Sequence, residues 1–276
     1  MLTCRVVTVL LLLIPLSVQA TTPAGVSFQD VLALPAGKPD SIHAYGADPF
    51  QFGQLWLPAA TPPSDGFPLV VLVHGGCWLN AFDVGHLAPA STALNEAGYA
   101  VWAPEYRRVG DTGGGWPGSL NDIQASLVTL ASLENASLNL DRVALAGHSA
   151  GGHLALLAAL KHSSDLSIRS VVGLAAITDI KTYANGENSC EQATIKFMGS
   201  DERSDPAEWT IANPASAPTP ANTTLLTGGK DNIVTPPQGQ LQGADSIEVD
   251  DAGHFDFIHP GTRAWHVFIE HLASTL

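Results

Sequence analysis

The chain of 276 residues carries 26 acidic and 12 basic side chains, which gives a formal net charge of −14 at pH 7. An acidic surface repels phosphate backbones and anionic lipid headgroups, so we expect neither nucleic acid nor a lipid surface as a partner. Hydrophobic residues make up 45% of the chain. This share is enough for one sizeable core and excludes a disordered or collagen-like protein.

The amino-terminal residues 1–20 have the pattern of a secretory signal peptide. Arg5 precedes an apolar run over 6–14, and small residues lead to Ala20. The run is shorter than the roughly 18–20 residues that a membrane span needs. We therefore predict cleavage near Ala20, export to the periplasm or the medium, and a mature chain 21–276 that does not insert stably into a membrane.

Two cysteines, Cys77 and Cys190, follow the predicted signal peptide. An oxidising compartment permits a disulfide between them. Their distance along the chain gives no indication of pairing, and Cys77 lies inside a motif with another role. We expect no bridge.

Strands and helices alternate along the rest of the chain. The run Leu-Val-Val-Leu-Val over 69–73 is typical of a strand that is buried on both faces. Strands are predicted over 51–57, 69–73, 99–103, 143–146, 171–175, 224–227 and 246–249, and helices over 87–97, 119–133 (with Ser119 as N-cap), 153–162 and 264–273. Strands that alternate with helices form right-handed crossovers, so we predict an α/β fold with a mostly parallel, doubly wound sheet.

The stretch 178–220 interrupts this alternation. It has no strong strand pattern and no long helix, and it contains Phe197 and Trp209. A segment of this length without clear structure in an α/β domain is often functional. We predict a small cap or loop insertion here, with the two aromatic side chains near a ligand.

A candidate nucleophile stands between a predicted strand and a predicted helix. Gly147-His148-Ser149-Ala150-Gly151 matches the G-x-S-x-G elbow, in the setting that this motif requires. Such a sharp turn exposes the serine hydroxyl, and the helix start directs unpaired N–H groups at a developing oxyanion. The motif predicts Ser149 as nucleophile and the N–H of Ala150 as an oxyanion donor. The alternative is a tight turn that only needs small residues.

A second glycine motif follows the strand predicted over 69–73. In His74-Gly75-Gly76-Cys77-Trp78, the absence of a side chain on the glycines lets backbone N–H groups face a site. We predict a second oxyanion donor among Gly75, Gly76 and Cys77, with Gly76 as the first candidate. The alternative is a glycine turn that closes the strand.

A serine nucleophile needs a base, and the base needs an orienting carboxylate. Asp231 and His254 each follow a predicted strand, and the chain order Ser149, Asp231, His254 is the order of the hydrolase motif. Asp231 can alternatively be a turn residue. Asp201, Asp205 and Asp250 remain alternative acids, and His259 remains an alternative base.

Other signals in the sequence predict no further chemistry. The G-x-G-x-x-G match over 113–118 contains Pro117 and lacks the acidic residue that dinucleotide binding uses, so we interpret it as a loop. The ten histidines show no ligand spacing, and we expect neither a metal nor a cofactor. His148 and His153 flank the elbow and are predicted to pack or to form hydrogen bonds.

Together these motifs resemble the alpha/beta-hydrolase superfamily. The pair His74-Gly75-Gly76-Cys77-Trp78 and Gly147-His148-Ser149-Ala150-Gly151 is similar to the hormone-sensitive-lipase-like branch, and within it to acetylxylan- and feruloyl-esterase-like carboxylesterases and to kynurenine formamidases. The resemblance covers about residue 55 to the carboxyl terminus. It implies an alpha/beta-hydrolase fold and a Ser149–Asp231–His254 triad. Cys77 departs from the third glycine of the lipases, which favours the formamidase and small-ester variants.

We therefore predict an exported serine hydrolase that cleaves a small-molecule carboxylic ester through an acyl-enzyme. Trp78 and Trp116 stand beside the motifs and are predicted to line the substrate pocket. One alternative is an arylformamidase, although its substrate lies inside cells. An alternative of another class is a secreted binding protein on a hydrolase scaffold, although such proteins usually lack a member of the triad.

Overall fold

The computed structural model describes residues 23–161, 164 and 166–276, so the predicted signal peptide lies outside the described residues. Within them one sheet has the strand order β1-β2-β4-β3-β5-β6-β7-β8. The strands are β1 (Ser41–Ala44), β2 (Phe52–Trp56), β3 (Phe67–Val73), β4 (Ala100–Pro104), β5 (Leu138–His148), β6 (Ile168–Leu174), β7 (Thr223–Gly228) and β8 (Asp245–Val249).

Helices lie between most of the strands. They are α1 (Phe28–Leu32), α2 (Ala88–Glu96), α3 (Gly118–Ala131), α4 (Ala150–Lys161), α5 (Ile180–Tyr183), α6 (Ser189–Met198), α7 (Pro206–Ile211) and α8 (Arg263–Thr275), with 3₁₀ turns at Val84–Leu87, Pro214–Ser216, Pro236–Gly239 and His254–Ile258. In the described part of the chain, none of the helices is long and apolar enough to cross a membrane.

The sheet is mostly parallel, as predicted. β1 pairs with β2 and β2 with β4 in antiparallel fashion, whereas the strands β4, β3, β5, β6, β7 and β8 run parallel to one another. The carboxyl ends of parallel strands meet at one edge of a sheet, where such folds bind ligands. The loops after β3, β5, β7 and β8 therefore lie at this edge.

Alternate residues of β3 belong to two different hydrophobic cores, one on each face of the sheet. Leu69 and Val71 pack in the core on one face of the sheet, and Val70 and Leu72 pack in the core on the other face. All four side chains are inaccessible to solvent. This burial on both faces explains the continuous apolar run in the sequence and confirms the doubly wound arrangement.

The structure differs from the predicted elements mainly in short segments. Every predicted strand and helix is present, but β5 begins at Leu138, and β1 and α1 were not predicted. Ser119 is not an N-cap, because α3 begins at Gly118 with Pro117 before it, and the Ser119 hydroxyl donates to the Arg107 carbonyl.

The insertion over 178–220 contains three short helices, α5, α6 and α7. Phe197 and Trp209 are fully buried in the same core as one face of β3. The insertion is therefore packed onto the domain by its aromatic side chains. This packing corrects the expectation that these two rings face a ligand.

Candidate active site

Ser149 forms the turn between β5 and α4. Its φ angle is 57°, a left-handed conformation that costs a residue with a side chain about 1–3 kcal/mol. The Ser149 N–H donates to the Leu174 carbonyl at 2.9 Å, and its carbonyl accepts from the Gly152 N–H at 2.9 Å. Hydrogen bonds to the neighbouring strand and to the helix thus hold the serine in the strained geometry of a nucleophile elbow.

The loop after β3 lies directly against this elbow. A Cβ atom on Gly75 would lie 2.8 Å from the His148 carbonyl oxygen and 3.0 Å from the Ser149 Cβ. Gly76 has a φ angle of 106°, and a Cβ atom there would overlap the Phe82 side chain. Only glycine fits both positions, so the sequence Gly75-Gly76 brings this backbone next to the serine.

Asp231 and His254 meet across the loops after β7 and β8. The Nδ1 atom of His254 lies 2.7 Å from Oδ2 of Asp231. The other carboxylate oxygen, Oδ1, accepts the N–H groups of Ile233 and Val234 at 2.8 and 2.9 Å. Both side chains are buried, and Asp231 is 4% exposed and His254 7% exposed. The carboxylate is therefore fixed by its own turn with one oxygen aimed at the imidazole.

The alternative acids and base have local roles. Asp201 and Asp205 accept N–H groups of Ser204 and Glu208 in the insertion. The Nδ1 atom of His259 accepts the Gly261 N–H at 3.1 Å. These side chains cap turns and helices, and the remaining alternative acid, Asp250, is exposed. Asp231 and His254 are therefore the candidate acid and base that the structure brings together.

His148 fixes the backbone of His254. Its Nε2–H donates to the His254 carbonyl at 2.9 Å, and the two rings lie 4.7 Å apart. Burial lowers the pKa of His148 well below its ordinary value, and the neighbouring His254 lowers it further. A neutral His148 therefore supports the loop that carries the candidate base, in agreement with its predicted hydrogen-bonding role.

A buried ionic network supports the loop that carries Gly75 and Gly76. The Glu105 carboxylate lies 2.9 Å from Nε2 of His74, accepts the N–H groups of Val84 and Tyr106 and pairs with Arg108. Burial opposes ionisation of Glu105, but these partners, His74 first, outweigh it and hold the pKa of Glu105 below its ordinary value. The charged carboxylate thus anchors the first residue of the glycine motif.

Three buried histidines predict a loss of stability in acid. Burial lowers the pKa of His86 to about 3 and that of His153 to about 4, and lowers the pKa of His148 strongly. The unfolded chain binds protons at these side chains below about pH 6.5, whereas the folded protein does not. We expect the free energy of unfolding to fall between about pH 6.5 and 4, by up to about 1.4 kcal/mol per pH unit for each histidine.

Denaturant titrations at several pH values measure this slope, and a His153→Gln variant is the matched control. His153 accepts the Trp78 indole N–H and donates to the Ala212 carbonyl. Glutamine supplies both an acceptor and a donor without titrating. The variant should lose about one third of the histidine-dependent slope. Equal slopes in both proteins would contradict the assignment for His153.

The candidate residues surround a cavity of about 280 Å³. Ser149, His254, Gly76 and Cys77 line it. The rest of the wall is largely apolar and comprises Phe28, Leu79, Phe82, His86, His148, Ser189, Cys190, Ile233 and Phe255. Gly75 and Ala150 belong to the backbone immediately beside Gly76 and Ser149.

The structure corrects the predicted aromatic wall of this cavity. Neither Trp78 nor Trp116 lines it. Trp78 is fully buried, donates its indole N–H to His153 and stacks on Phe197 at 4.7 Å. The Trp116 indole N–H donates to Glu208 in the insertion. Both rings therefore contact residues of the insertion, Trp78 through Phe197 and Trp116 through Glu208, and they fix the insertion to the domain beside the site.

Sequence reasoning missed the aromatic side chains that do line the cavity, Phe28, Phe82 and Phe255. Phe255 had a signal, because it directly follows His254. Phe28 and Phe82 had none, since they lie in a short helix and a loop without a recognisable motif.

The expectation of two free cysteines is wrong. Cys77 and Cys190 form a disulfide, with Cα atoms 5.0 Å apart. α6 begins at Ser189, and the stacking of its Phe197 on Trp78 places this helix beside the loop after β3, where the two cysteines meet. The bridge ties the predicted oxyanion loop to the insertion, and both cysteines line the cavity.

The described residues contain no cluster of three or more His, Cys, Asp or Glu side chains that could hold a metal ion. The strand order, the elbow at Ser149 and the Asp231–His254 pair at the carboxyl edge of the sheet define an alpha/beta-hydrolase fold. The sequence model of the BD-FAE family matches residues 54–243, and the chain belongs to this family.

Known proteins similar to this chain include several esterases. Esterase LipC of Mycobacterium tuberculosis is 27% identical over 142 residues, which are 47% of this chain. The match spans about one third (34%) of that relative's length. Esterase B of Lactobacillus rhamnosis has a similar structure, with a TM-score of 0.72 and 21% identity over 90% of this chain and 89% of that one. A carbohydrate esterase from gut microbiota gives a TM-score of 0.68 and 19% identity over 86% of this chain and 97% of that one.

Proposed function

We propose that the protein is an exported serine esterase with Ser149, His254 and Asp231 as its catalytic triad. The observation that carries this proposal is the cavity that Ser149 and His254 line together, with His254 hydrogen-bonded at 2.7 Å to the buried Asp231. Similarity to proteins named as esterases supports hydrolysis of an ester. Family membership supports the same reaction class.

In the proposed reaction, the Ser149 hydroxyl oxygen attacks the carbonyl carbon of the ester. His254 takes the hydroxyl proton at Nε2 and gives it to the alcohol as the bond to the leaving oxygen breaks. Asp231 keeps the Nδ1 proton of His254 in place and stabilises the imidazolium. Water then attacks the acyl-serine with the same proton transfers, which releases the acid and restores the serine.

The oxyanion of each tetrahedral intermediate needs preorganised donors. The N–H of Ala150 stands at the start of α4, and Gly75, Gly76 and Cys77 form the loop against the elbow. We assign the donors to Ala150 and Gly76. Loss of one such donor typically costs about 3–4 kcal/mol of transition-state stabilisation.

Export is part of the proposal. Residues 1–20 have the composition of a signal peptide. The Cys77–Cys190 bridge supports this assignment, because structural disulfides persist mainly in oxidising compartments such as the periplasm.

One experiment tests activity and export together. The full chain, expressed in a bacterial host, should yield a periplasmic or secreted protein whose first residue by mass spectrometry is Thr21. This protein should hydrolyse p-nitrophenyl acetate and butyrate, and a fluorophosphonate probe should label the peptide that contains Ser149.

The alternatives predict different results in the same assays. Cleavage of N-formylkynurenine without cleavage of either ester would identify an arylformamidase. No turnover and no labelling would indicate a binding protein on a hydrolase scaffold. A cytoplasmic protein that keeps residues 1–20 would contradict export alone.

A further inference from the structure

Phe28 lines both the active-site cavity and a second space. The second space is an outer groove of about 250 Å³, lined by Leu32, Ala81 and Asp83 among others. Phe28, Phe82 and His86 line both the cavity and the groove. These three rings therefore border both spaces, and we call them the partition.

Within the partition, the Phe28 ring contacts three aromatic neighbours. Its centroid lies 5.5 Å from those of Phe82 and Phe255 and 5.6 Å from that of His86. Edge-on and tilted contacts at these distances are favourable for aromatic rings. The neighbours thus hold the Phe28 ring in place where the two spaces border each other.

The segment that carries Phe28 is anchored beside the candidate base. The Asp256 carboxylate, two residues after His254, accepts the N–H groups of Gly25 and Val26 at 2.9 and 3.0 Å. Val31, one turn after Phe28, is fully buried in the core. One anchor before Phe28 and one after it therefore fix its place at the cavity wall.

We propose that Phe28 is a specificity-determining residue that limits the length of the apolar chain that the cavity accepts. This inference rests on the proposed esterase function. In Phe28→Ala the phenyl ring is removed, and we expect this to join the cavity of about 280 Å³ to the groove of about 250 Å³. A longer chain could then continue past Phe82 toward Leu32, and each further methylene removed from water would raise affinity about fourfold.

The test compares the wild-type protein with Phe28→Ala and with Leu32→Ala. The first measurement is kcat/KM for p-nitrophenyl esters from acetate to dodecanoate and for alkyl acetates of increasing alcohol length. The second is the dissociation constant of straight-chain 1-alkanols by calorimetry, which needs no turnover. Phe28 is only partly buried, so the alanine variant should fold, and thermal unfolding checks this.

In wild type and in Leu32→Ala, we expect kcat/KM and alkanol affinity to stop rising with each added methylene at the same chain length. The reason is that Leu32 lines the groove but not the cavity. In Phe28→Ala, kcat/KM and alkanol affinity should continue to rise for longer chains. A change in the p-nitrophenyl ester series would place the acyl chain beside Phe28, and a change in the alkyl acetate series would place the alcohol there. The same length limit in Phe28→Ala and wild type, for both esters and alkanols, would overturn the proposal. A changed alkanol limit without hydrolysis of any ester would support the role of Phe28 and refute the esterase function.

Discussion

Replacement of Ser149 by alanine is expected to lower kcat for ester hydrolysis by about 10⁶-fold, because the attacking oxygen is lost. KM should change little, since the cavity wall and the loop with Gly75 and Gly76 remain. Alanine has a similar conformational cost at a φ angle of 57°, so the elbow should persist. Steady-state kinetics on p-nitrophenyl butyrate measure the loss.

A surface serine provides the matched control for this substitution. Ser132 follows α3 and donates its hydroxyl to the Val128 carbonyl at an exposed position. Ser132→Ala should keep the wild-type kcat and the fluorophosphonate label, whereas Ser149→Ala should lose both. Retained activity in a folded Ser149→Ala protein would show that another group is the nucleophile.

The parts of the fold that sequence predicted well are those with strong local patterns. The apolar run of β3 predicts burial on two faces because every side chain in it is hydrophobic, whichever way it points. Ser149 is predictable for a related reason. The elbow needs glycine two residues before and two residues after the serine, at Gly147 and Gly151, and this need leaves a short motif in the sequence.

The wall of the cavity was not predictable in this way. Trp78 is the last residue of the glycine motif, but its φ angle is 58° and its ring is fully buried and stacks on Phe197. Phe28 lies at the wall in part because the Asp256 carboxylate binds the backbone N–H groups of Gly25 and Val26, which are 231 and 230 positions away in the chain. Neighbours in sequence are a poor guide to neighbours in a cavity that distant segments build.

The disulfide shows the same dependence on distant packing. Cys77 and Cys190 are separated by 113 positions, and α6 has to lie over the loop after β3 before they can pair. The capping box at Asn188 and Glu191 sets where α6 begins, but it does not set where α6 lies. Pairing was therefore permitted by the predicted compartment and decided by tertiary structure.

Replacement of Asp231 by asparagine is expected to lower kcat by about 10⁴-fold while the fold is retained. The N–H groups of Ile233 and Val234 both donate to Oδ1, so the asparagine carbonyl oxygen has to occupy that position. The NH₂ group of the asparagine then takes the place of Oδ2, the atom that accepts from Nδ1 of His254 in the wild type. Nδ1 becomes an acceptor and the proton moves to Nε2, which removes the lone pair that would take the Ser149 proton.

Asp250→Asn is the matched control, because Asp250 is an exposed carboxylate near the same edge and was an alternative acid in the sequence. It should keep the wild-type kcat, and both variants should unfold at wild-type denaturant concentrations. Fluorophosphonate labelling of Ser149 should slow in Asp231→Asn alone, because labelling also requires a serine activated by His254. Comparable kcat values for Asp231→Asn and wild type would mean that the 2.7 Å contact to His254 is structural and that another group orients the base.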